Sequence, residues 1–176
     1  MTTSTTTSTT TSTASTAVGS AAERYLTFAL GGEKFALPIL DVTEILEFRS
    51  LTTVPMMPPY IRGVLNLRGR VVPVVDLSIR FGGEPTPVNR RTSIVIIDTG
   101  ARTTADGVHH RAIGILVDAV NKVMLLSDDD VVPPPSLGPQ GRSEFVQGMA
   151  RHHDEFIVVL DLTVLATDAA GAADAT

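Results

Sequence analysis

Acidic side chains and histidines are the groups in this sequence that could do chemistry. Four aspartates, Asp76, Asp98, Asp118 and Asp161, each follow an apolar run of strand length. Carboxylates gathered from several strand ends could form a catalytic set in which neighbouring groups move one another's pKa values apart. Aspartate at a strand end also accepts hydrogen bonds from nearby backbone N–H groups, and we expect this structural role for all four.

The densest acidic run, residues 127–130, reads Ser-Asp-Asp-Asp. Its carboxylates could bind Mg²⁺. Ser and Asp also cap turns through their own side chains, and the surrounding sequence predicts no apolar pocket. We therefore interpret this run as a solvated turn.

Four histidines form two doublets, His109-His110 and His152-His153, both at predicted hairpin tips. Adjacent residues of a strand point to opposite faces of a sheet, so one doublet is poorly suited to chelate one metal ion. A joint metal site would require the two tips to meet in space. We expect solvated turn histidines.

Common catalytic and nucleotide-binding motifs are absent from the sequence. It contains no G-x-x-x-x-G-K-[ST], G-x-G-x-x-G, G-x-S-x-G or H-E-x-x-H pattern. It has no cysteine either, which removes disulfides, thiolate metal sites and cysteine nucleophiles. We expect no enzymatic activity, no catalytic residue, no metal and no cofactor; a small metal-dependent hydrolase using the Asp or His groups is the alternative.

Composition and length argue against several other classes of protein. The 176 residues carry a formal net charge of −5 and scattered arginines, whereas nucleic-acid binding needs a concentrated basic face. No apolar run approaches the roughly 20 residues that insert across a bilayer. The Thr/Ser-rich residues 1–22 lack the features of a secretory signal. We expect a cytoplasmic protein with a disordered tail at 1–22, a folded region at 23–167 and a frayed end at 168–176.

Short apolar segments bounded by Gly and Pro turns predict an all-β fold of small barrels or a sandwich. Hydrophobic residues make up 43% of the chain and aromatics only 5%, so the core must consist mainly of Val, Ile, Leu and Ala. Residues 40–48 are predicted to form a short helix or an irregular turn, because Val42, Ile45 and Leu46 have i, i+3, i+4 spacing. This segment is the one clear helical candidate in the sequence.

A loop at 80–91 is predicted to divide the chain into two similar halves. The segments VVPVVDL and FIVVLDL, one in each half, both end in an apolar run followed by Asp-Leu, which suggests two related barrels. Residues 101–110 are predicted to form a hairpin tip and residues 145–162 a last hairpin.

The segment GVLNLRGRVVPVVDL, residues 63–77, predicts two strands joined by a tight turn in which Gly69 adopts a positive φ. Pro73 cannot donate to a ladder, which places its strand at an edge or at a bulge. Arg68 lies at the tip, where its planar guanidinium could bind a carboxylate or backbone carbonyls of a partner; a solvated hairpin tip is the alternative. The adjacent Met-Met-Pro-Pro-Tyr-Ile run is adaptable apolar contact material.

Four segments in order carry a resemblance to a known family: FALGGEKFALPILDVTEIL, VPMMPPYIRGVLNLRGRVVPVVDLSIRFG, IGILVDAVNKV and FVQGMARHHDEFIVVLDL. Over residues 24–167 the chain resembles the CheW family of chemotaxis adaptors. The resemblance implies two intertwined SH3-like, five-stranded β-barrels with a hydrophobic groove between them. It further implies an adaptor without catalytic activity that couples the regulatory domain of a CheA-type histidine kinase to the cytoplasmic tips of methyl-accepting chemotaxis receptors in membrane-associated arrays.

The resemblance also assigns site residues to two faces. The receptor-binding set is Val42, Arg68, Ile94, Gly114 and Val123; the kinase-binding set is Glu44, Ile45, Arg62 and Gly63. Val42 and Val123 could equally be core residues, and Gly114 could mark a bulge or a close backbone approach. CheW-like adaptors also resemble components of type IV pilus, gliding and second-messenger pathways, which the sequence does not separate. The Thr/Ser tail and the loop TADGVHH depart from the family pattern.

Overall fold

A computed structural model describes residues 22–104, 107–134, 143–152 and 154–165 of the chain. The strands are β1 (Glu23–Leu30), β2 (Glu33–Pro38), β3 (Val42–Glu47), β4 (Ile61–Leu67), β5 (Arg70–Asp76), β6 (Ser93–Thr104), β7 (Gly107–Val117), β8 (Ala119–Leu126), β9 (Val131–Val132), β10 (Val146–His152) and β11 (Glu155–Leu160). Two one-turn helices follow β5 and β11: α1 (Leu77–Arg80) and α2 (162–165). The two predicted tails lie outside the described residues, apart from Ala22.

The strands form two sheets, which confirms the all-β prediction. The first barrel is the five-stranded sheet β3-β6-β7-β5-β4, and the second barrel is the six-stranded sheet β8-β1-β2-β11-β10-β9. The chain begins in the second barrel with β1 and β2, builds the whole first barrel, and then returns. The loop at 80–91 connects α1 to β6 inside the first barrel, so the prediction that it separates two halves is wrong.

In the described part of the chain, apolar side chains fill three cores, because the central strands are covered on both faces. Ile94 and Ile96 of β6 point into the first barrel, whereas Val95 and Ile97 point into a central core between the barrels. This explains why β6 is almost continuously apolar. The second barrel has its own core, which includes Tyr25, Met124 and Ile157.

The two barrels repeat one another in detail. The hairpins β4–β5 and β10–β11 both carry a register shift beside a glycine, Gly63 or Gly148. A Cβ on Gly63 would lie 2.6 Å from the Thr52 carbonyl oxygen, and one on Gly148 would lie 2.5 Å from a Val131 methyl group. Each glycine therefore lets a neighbouring segment cross closely over the bulge. The predicted relation between VVPVVDL and FIVVLDL reflects this repeat.

Residues 42–47 form strand β3, so the prediction of a short helix or an irregular turn at 40–48 is wrong; a single 3-10 turn at Ile39–Asp41 precedes the strand. The register of β3 against β6 shifts between Val42 and Glu44. This extra residue gives the apolar side chains a helix-like spacing although the backbone is extended. Pairing with β6 determines the structure of these residues, although their apolar spacing over nine residues favours a helix.

The position of Pro73 agrees with its missing N–H group. Strand β5 lies between β4 and β7, but it pairs with β7 only from Val74 to Asp76. The half of β5 that holds Pro73 therefore has a partner on one side only among the described residues. This part of the strand is an edge, as predicted.

Strand pairing extends further into residues 101–110 than the sequence predicted. Strand β6 continues to Thr104 and β7 begins at Gly107, with His110 opposite Ala101. The first histidine doublet thus belongs to a strand and not to the tip. Of the second doublet, His152 ends β10 and His153 lies outside the described residues.

Candidate protein-interaction surfaces

The four strand-end aspartates have the predicted structural role. Each accepts at least one backbone N–H group nearby; Asp76, Asp118 and Asp161 lie at strand ends, whereas β6 continues past Asp98, which lies at the register shift of that strand. The bonds are Ser78 N to Asp76, 3.1 Å; Gly100 N to Asp98, 2.9 Å; Gly31 N to Asp118, 2.8 Å; and Thr163 N to Asp161, 2.8 Å. Within the described part of the chain, no three His, Asp or Glu side chains are grouped closely enough to hold a metal ion.

The acidic run at 127–130 forms a capped turn, which confirms that interpretation. The Ser127 hydroxyl and backbone N–H both donate to the Asp130 carboxylate, at 2.6 and 3.0 Å. These hydrogen bonds, the one from the side chain first, hold the pKa of Asp130 below its ordinary value of 3.8.

Ser127→Ala is expected to raise the pKa of Asp130 towards its ordinary value, while the remaining backbone hydrogen bond keeps it partly lowered. Because the folded-state pKa of Asp130 is depressed, its stabilising effect is present above the unfolded-state pKa and is lost as pH falls through the folded-state pKa. Carboxyl NMR titration of the folded wild-type protein and of the Ser127→Ala variant measures the Asp130 pKa in each. Glu155 is the internal control, because its lowered pKa comes first from Lys34 and should not move; an unchanged Asp130 pKa would contradict the assignment.

Arg68 occupies the two-residue turn between β4 and β5. Both turn residues have positive φ, 54° at Arg68 and 83° at Gly69, as a type I′ turn requires. The sequence predicted this conformation for Gly69 only. The Asn66 side chain accepts a hydrogen bond from the Gly69 N–H at 2.9 Å, which holds the turn and projects Arg68 outward with its side chain 82% exposed.

Arg68 and Glu44 form an ion pair, with Nη2 and Oε2 3.3 Å apart. Arg68 directly follows β4, and Glu44 lies on β3; these two strands are the edges of the five-stranded sheet. The pair therefore bridges the seam at which this sheet curls into a barrel. The family resemblance assigned these residues to different binding faces, but the structure brings their side chains together.

The edge strands β3 and β8 present half-exposed aliphatic side chains at equivalent places. Ile45 pairs with Val95 on β6, and Val123 pairs with Leu26 on β1. Both side chains are nearly half exposed, at 44% and 49%. Each edge strand bulges just before this residue, and among the described residues it bonds to one neighbouring strand only.

The other residues of the predicted receptor-binding set lie deeper. Val42 is partly buried against the central core. Ile94 and Gly114 are buried inside the first barrel, where a Cβ on Gly114 would lie 2.9 Å from an Ile94 methyl group. The strand register is continuous through Gly114, so this glycine serves a close approach and not a bulge.

Two residues of the predicted kinase-binding set have structural contacts. Arg62 is 28% exposed and donates to the fully buried carboxylate of Asp76 at 3.2 Å. Gly63 is buried, with φ of 147° and the Thr52 carbonyl in contact. A substitution at either position would therefore disturb the fold as well as any surface nearby.

Sequence reasoning missed an aromatic stack that joins the barrels. Phe35 stacks on Phe81 at 5.9 Å between ring centroids, and Phe81 packs against Phe145 at 5.8 Å. The Arg80 guanidinium lies 4.4 Å from the Phe145 ring centroid and 5.3 Å from that of Tyr60. Distances of this size permit cation–π attraction. No local sequence signal predicts this stack, because Phe35, Phe81 and Phe145 are far apart in the sequence.

Exposed apolar residues outside the predicted sets were also missed. Leu40, Leu125 and Phe156 are 93%, 61% and 59% exposed. Phe156 alternates with the buried Ile157, so period-two reading of FIVVL could have found it. Among the described residues, none of the helices has the length and apolar character needed to cross a membrane.

Two interlocked barrels with apolar residues along their open strand edges define a β-barrel interaction domain. Residues 24–170 match the family model for the CheW-like domain, so the chain belongs to the CheW-like family of adaptor domains. The resemblance in four sequence segments is thereby confirmed.

Two curated relatives and one solved structure match most of this chain and most of their own lengths. Chemotaxis protein CheW of Klebsiella aerogenes is 28% identical over 146 residues, 83% of this chain and 82% of that protein. Protein FrzA of Myxococcus xanthus is 28% identical over 145 residues, 81% of this chain and 84% of that protein. The crystal structure of the scaffolding protein TtCheW from Thermoanaerobacter tengcongensis matches with a TM-score of 0.70 and 30% identity, over 82% of this chain and 88% of that one.

Proposed function

We propose that this protein is a cytoplasmic chemotaxis adaptor that couples transmembrane chemoreceptors to a CheA-type histidine kinase. The observation that carries the proposal is the pair of equivalent edge strands, β3 and β8, with half-exposed Ile45 and Val123. Open strand edges offer main-chain hydrogen bonds, and adjacent aliphatic side chains add apolar contact area. Membership of the CheW-like family supports the choice of partners.

The kinase regulatory domain is proposed to bind along β3, at Glu44 and Ile45. The receptor tip, a helical hairpin, is proposed to bind across Val42, Val123 and the Arg68 turn. A helix packs into an apolar channel that has few polar anchors, and Arg68, with its side chain 82% exposed, is the proposed polar anchor.

Four residues of the predicted sets are proposed to act indirectly, by fixing the positions of the strands that carry these surfaces. Ile94 and Gly114 set the packing inside the first barrel, and Arg62 and Gly63 hold the β4–β5 hairpin in place. The adaptor then works by binding one kinase arrangement better than another, since a scaffold shifts only those equilibria whose states it binds differently. Such binding would recruit the protein to membrane-associated receptor arrays.

A second candidate keeps the same surfaces and changes the pathway. The match to Protein FrzA over most of both chains favours a CheW-like adaptor of a non-flagellar chemosensory system, such as type IV pili, gliding or second-messenger control. Which receptor co-purifies with the protein from its own cells distinguishes the two pathways.

Co-purification of the full-length chain with a CheA-type regulatory domain and a receptor cytoplasmic fragment tests the proposal. Ile45→Ser is expected to lose the kinase fragment and keep the receptor fragment, and Val123→Ser to do the reverse. Val88→Ser is the matched control, because Val88 is an aliphatic residue 50% exposed in the loop between α1 and β6, outside both edge strands and the Arg68 turn. Failure of the folded wild-type chain to bind either fragment at roughly 50 μM, well above a Kd of about 10 μM, would refute the proposal.

Arg68→His is expected to weaken the ternary assembly and leave the thermal unfolding temperature nearly unchanged. Arg68 is 82% exposed, and a surface ion pair such as that with Glu44 contributes about 0–1 kcal/mol. Calorimetry of the free protein beside the assembly assay separates these effects. A fall in Tm of more than about 5 °C, roughly 1–2 kcal/mol for a domain of this size, would make Arg68 a structural residue instead.

A further inference from the structure

A cleft of about 340 Å³ lies where the two barrels meet. One wall is the β1–β2 turn of the second barrel, with Gly31 and Glu33. The other wall is Ser78 of α1 and the loop after it, through Pro87. This volume lies at the lower end of the range for small-ligand sites, and the cleft is lined by none of the residues of the proposed kinase and receptor surfaces.

The cleft has an aromatic floor. Phe35 and Phe81 both line it, and their rings stack at 5.9 Å with an interplanar angle of 23°. Leu30, Pro85 and Pro87 add apolar walls. A flat cation or an aliphatic stem packs favourably against such a surface.

The charged residues that line the cleft are all acidic: Glu33, Glu84 and Asp118. The Oδ2 atom of Asp118 accepts from the Gly31 N–H at 2.8 Å. Its Oδ1 atom is shielded from solvent and accepts no hydrogen bond within the part of the chain that the structure describes. A buried carboxylate oxygen without a donor is uncommon in proteins and indicates a missing partner.

The arrangement favours an organic cation over a metal ion. Among the described residues, these carboxylates are not grouped as metal ligands are. A guanidinium group has a flat face for the aromatic floor and a fork of N–H donors for Asp118. We propose that this cleft binds a guanidinium group on an aliphatic stem, presented as an arginine side chain of a partner protein.

Amide NMR titration of the full-length chain tests this proposal with two probes, agmatine and N-acetyl-arginine methylamide, at physiological salt. Both are expected to shift the amides of Gly31, Gly83 and Asp118 saturably, with Kd on the order of 1–10 mM for one isolated side chain. Asp118→Asn, which keeps an acceptor for the Gly31 N–H, is expected to weaken binding about tenfold, because it removes a charge-assisted hydrogen bond.

Two further variants keep the test decisive. Glu84→Gln neutralises an exposed acid of the cleft and should also weaken binding. It tests the site even if Asp118→Asn does not fold. Asp129→Asn removes one exposed charge outside the cleft and should change nothing. Absence of saturable shifts, or equal weakening by Asp129→Asn, overturns the site. Binding of agmatine without binding of the arginine amide overturns the protein side chain as the source.

Discussion

Asp76→Ala should cost this protein about 3–5 kcal/mol of unfolding free energy, because it leaves the two buried Thr86 donors unpaired, at about 1–3 kcal/mol each. The Asp76 side chain is fully buried. It accepts from Arg62 at 3.2 Å, from the Thr86 N–H at 2.9 Å, from the Thr86 hydroxyl at 2.8 Å and from the Ser78 N–H at 3.1 Å. Its removal leaves all four donors without this acceptor, and buried unpaired donors are costly.

The internal repeat supplies a matched control for that prediction. Asp161 stands at the equivalent end of β11 and caps α2 through the Thr163 and Val164 N–H groups. Asp161→Ala removes only a cap and should cost about 1 kcal/mol. Denaturant unfolding measures both variants. Equal losses would show that Asp76 contributes only as a helix cap and that its bonds to Arg62 and Thr86 add nothing.

Phe145→Ala is expected to lower the unfolding free energy by about 3–5 kcal/mol, as is typical of a buried phenylalanine. The Phe145 side chain is fully buried in the central core, packs on Phe81 and has the Arg80 guanidinium 4.4 Å from its ring centroid. The substitution therefore opens a cavity between the barrels and removes a cation–π contact.

Phe156→Ala is the control for Phe145→Ala, because Phe156 is 59% exposed and its truncation should change stability by no more than about 0.5 kcal/mol. Phe145→Leu restores apolar volume without the aromatic ring and should recover about half of the loss. Urea unfolding with a constant m-value gives all three numbers. A loss below about 1 kcal/mol for Phe145→Ala would contradict a central role for the stack.

The β4–β5 hairpin could be predicted from sequence because its signals are local. The turn glycine, the apolar runs on both sides and the prolyl residue in β5 each limit the backbone within a few residues. The capped turn at 127–130 was predictable for the same reason, since Ser127 and Asp130 bond to each other. The residues of strand β3 were predicted to form a short helix or an irregular turn, because their strand structure depends on pairing with β6, about fifty residues away.

Whether a residue of the predicted binding sets is exposed or buried depends on the order of the strands in each sheet. Exposure of Ile45 and Val123 follows from their place on edge strands, which strand order alone decides. The burial of Ile94 and Gly114 follows from the same order, because β6 and β7 are central strands covered on both faces. A single apolar strand sequence does not reveal which of its faces meets another sheet.

By itself the sequence determined the all-β class, the main hairpins, the structural aspartates and membership of the CheW-like family, because each depends on local spacing or on ordered motifs. Only the tertiary structure decided that β1 and β2 complete the second barrel, that Arg68 meets Glu44 across a barrel seam, and that an acidic cleft forms between the barrels. These features join residues from distant parts of the chain, and their geometry is fixed by how the sheets curl and pack against each other.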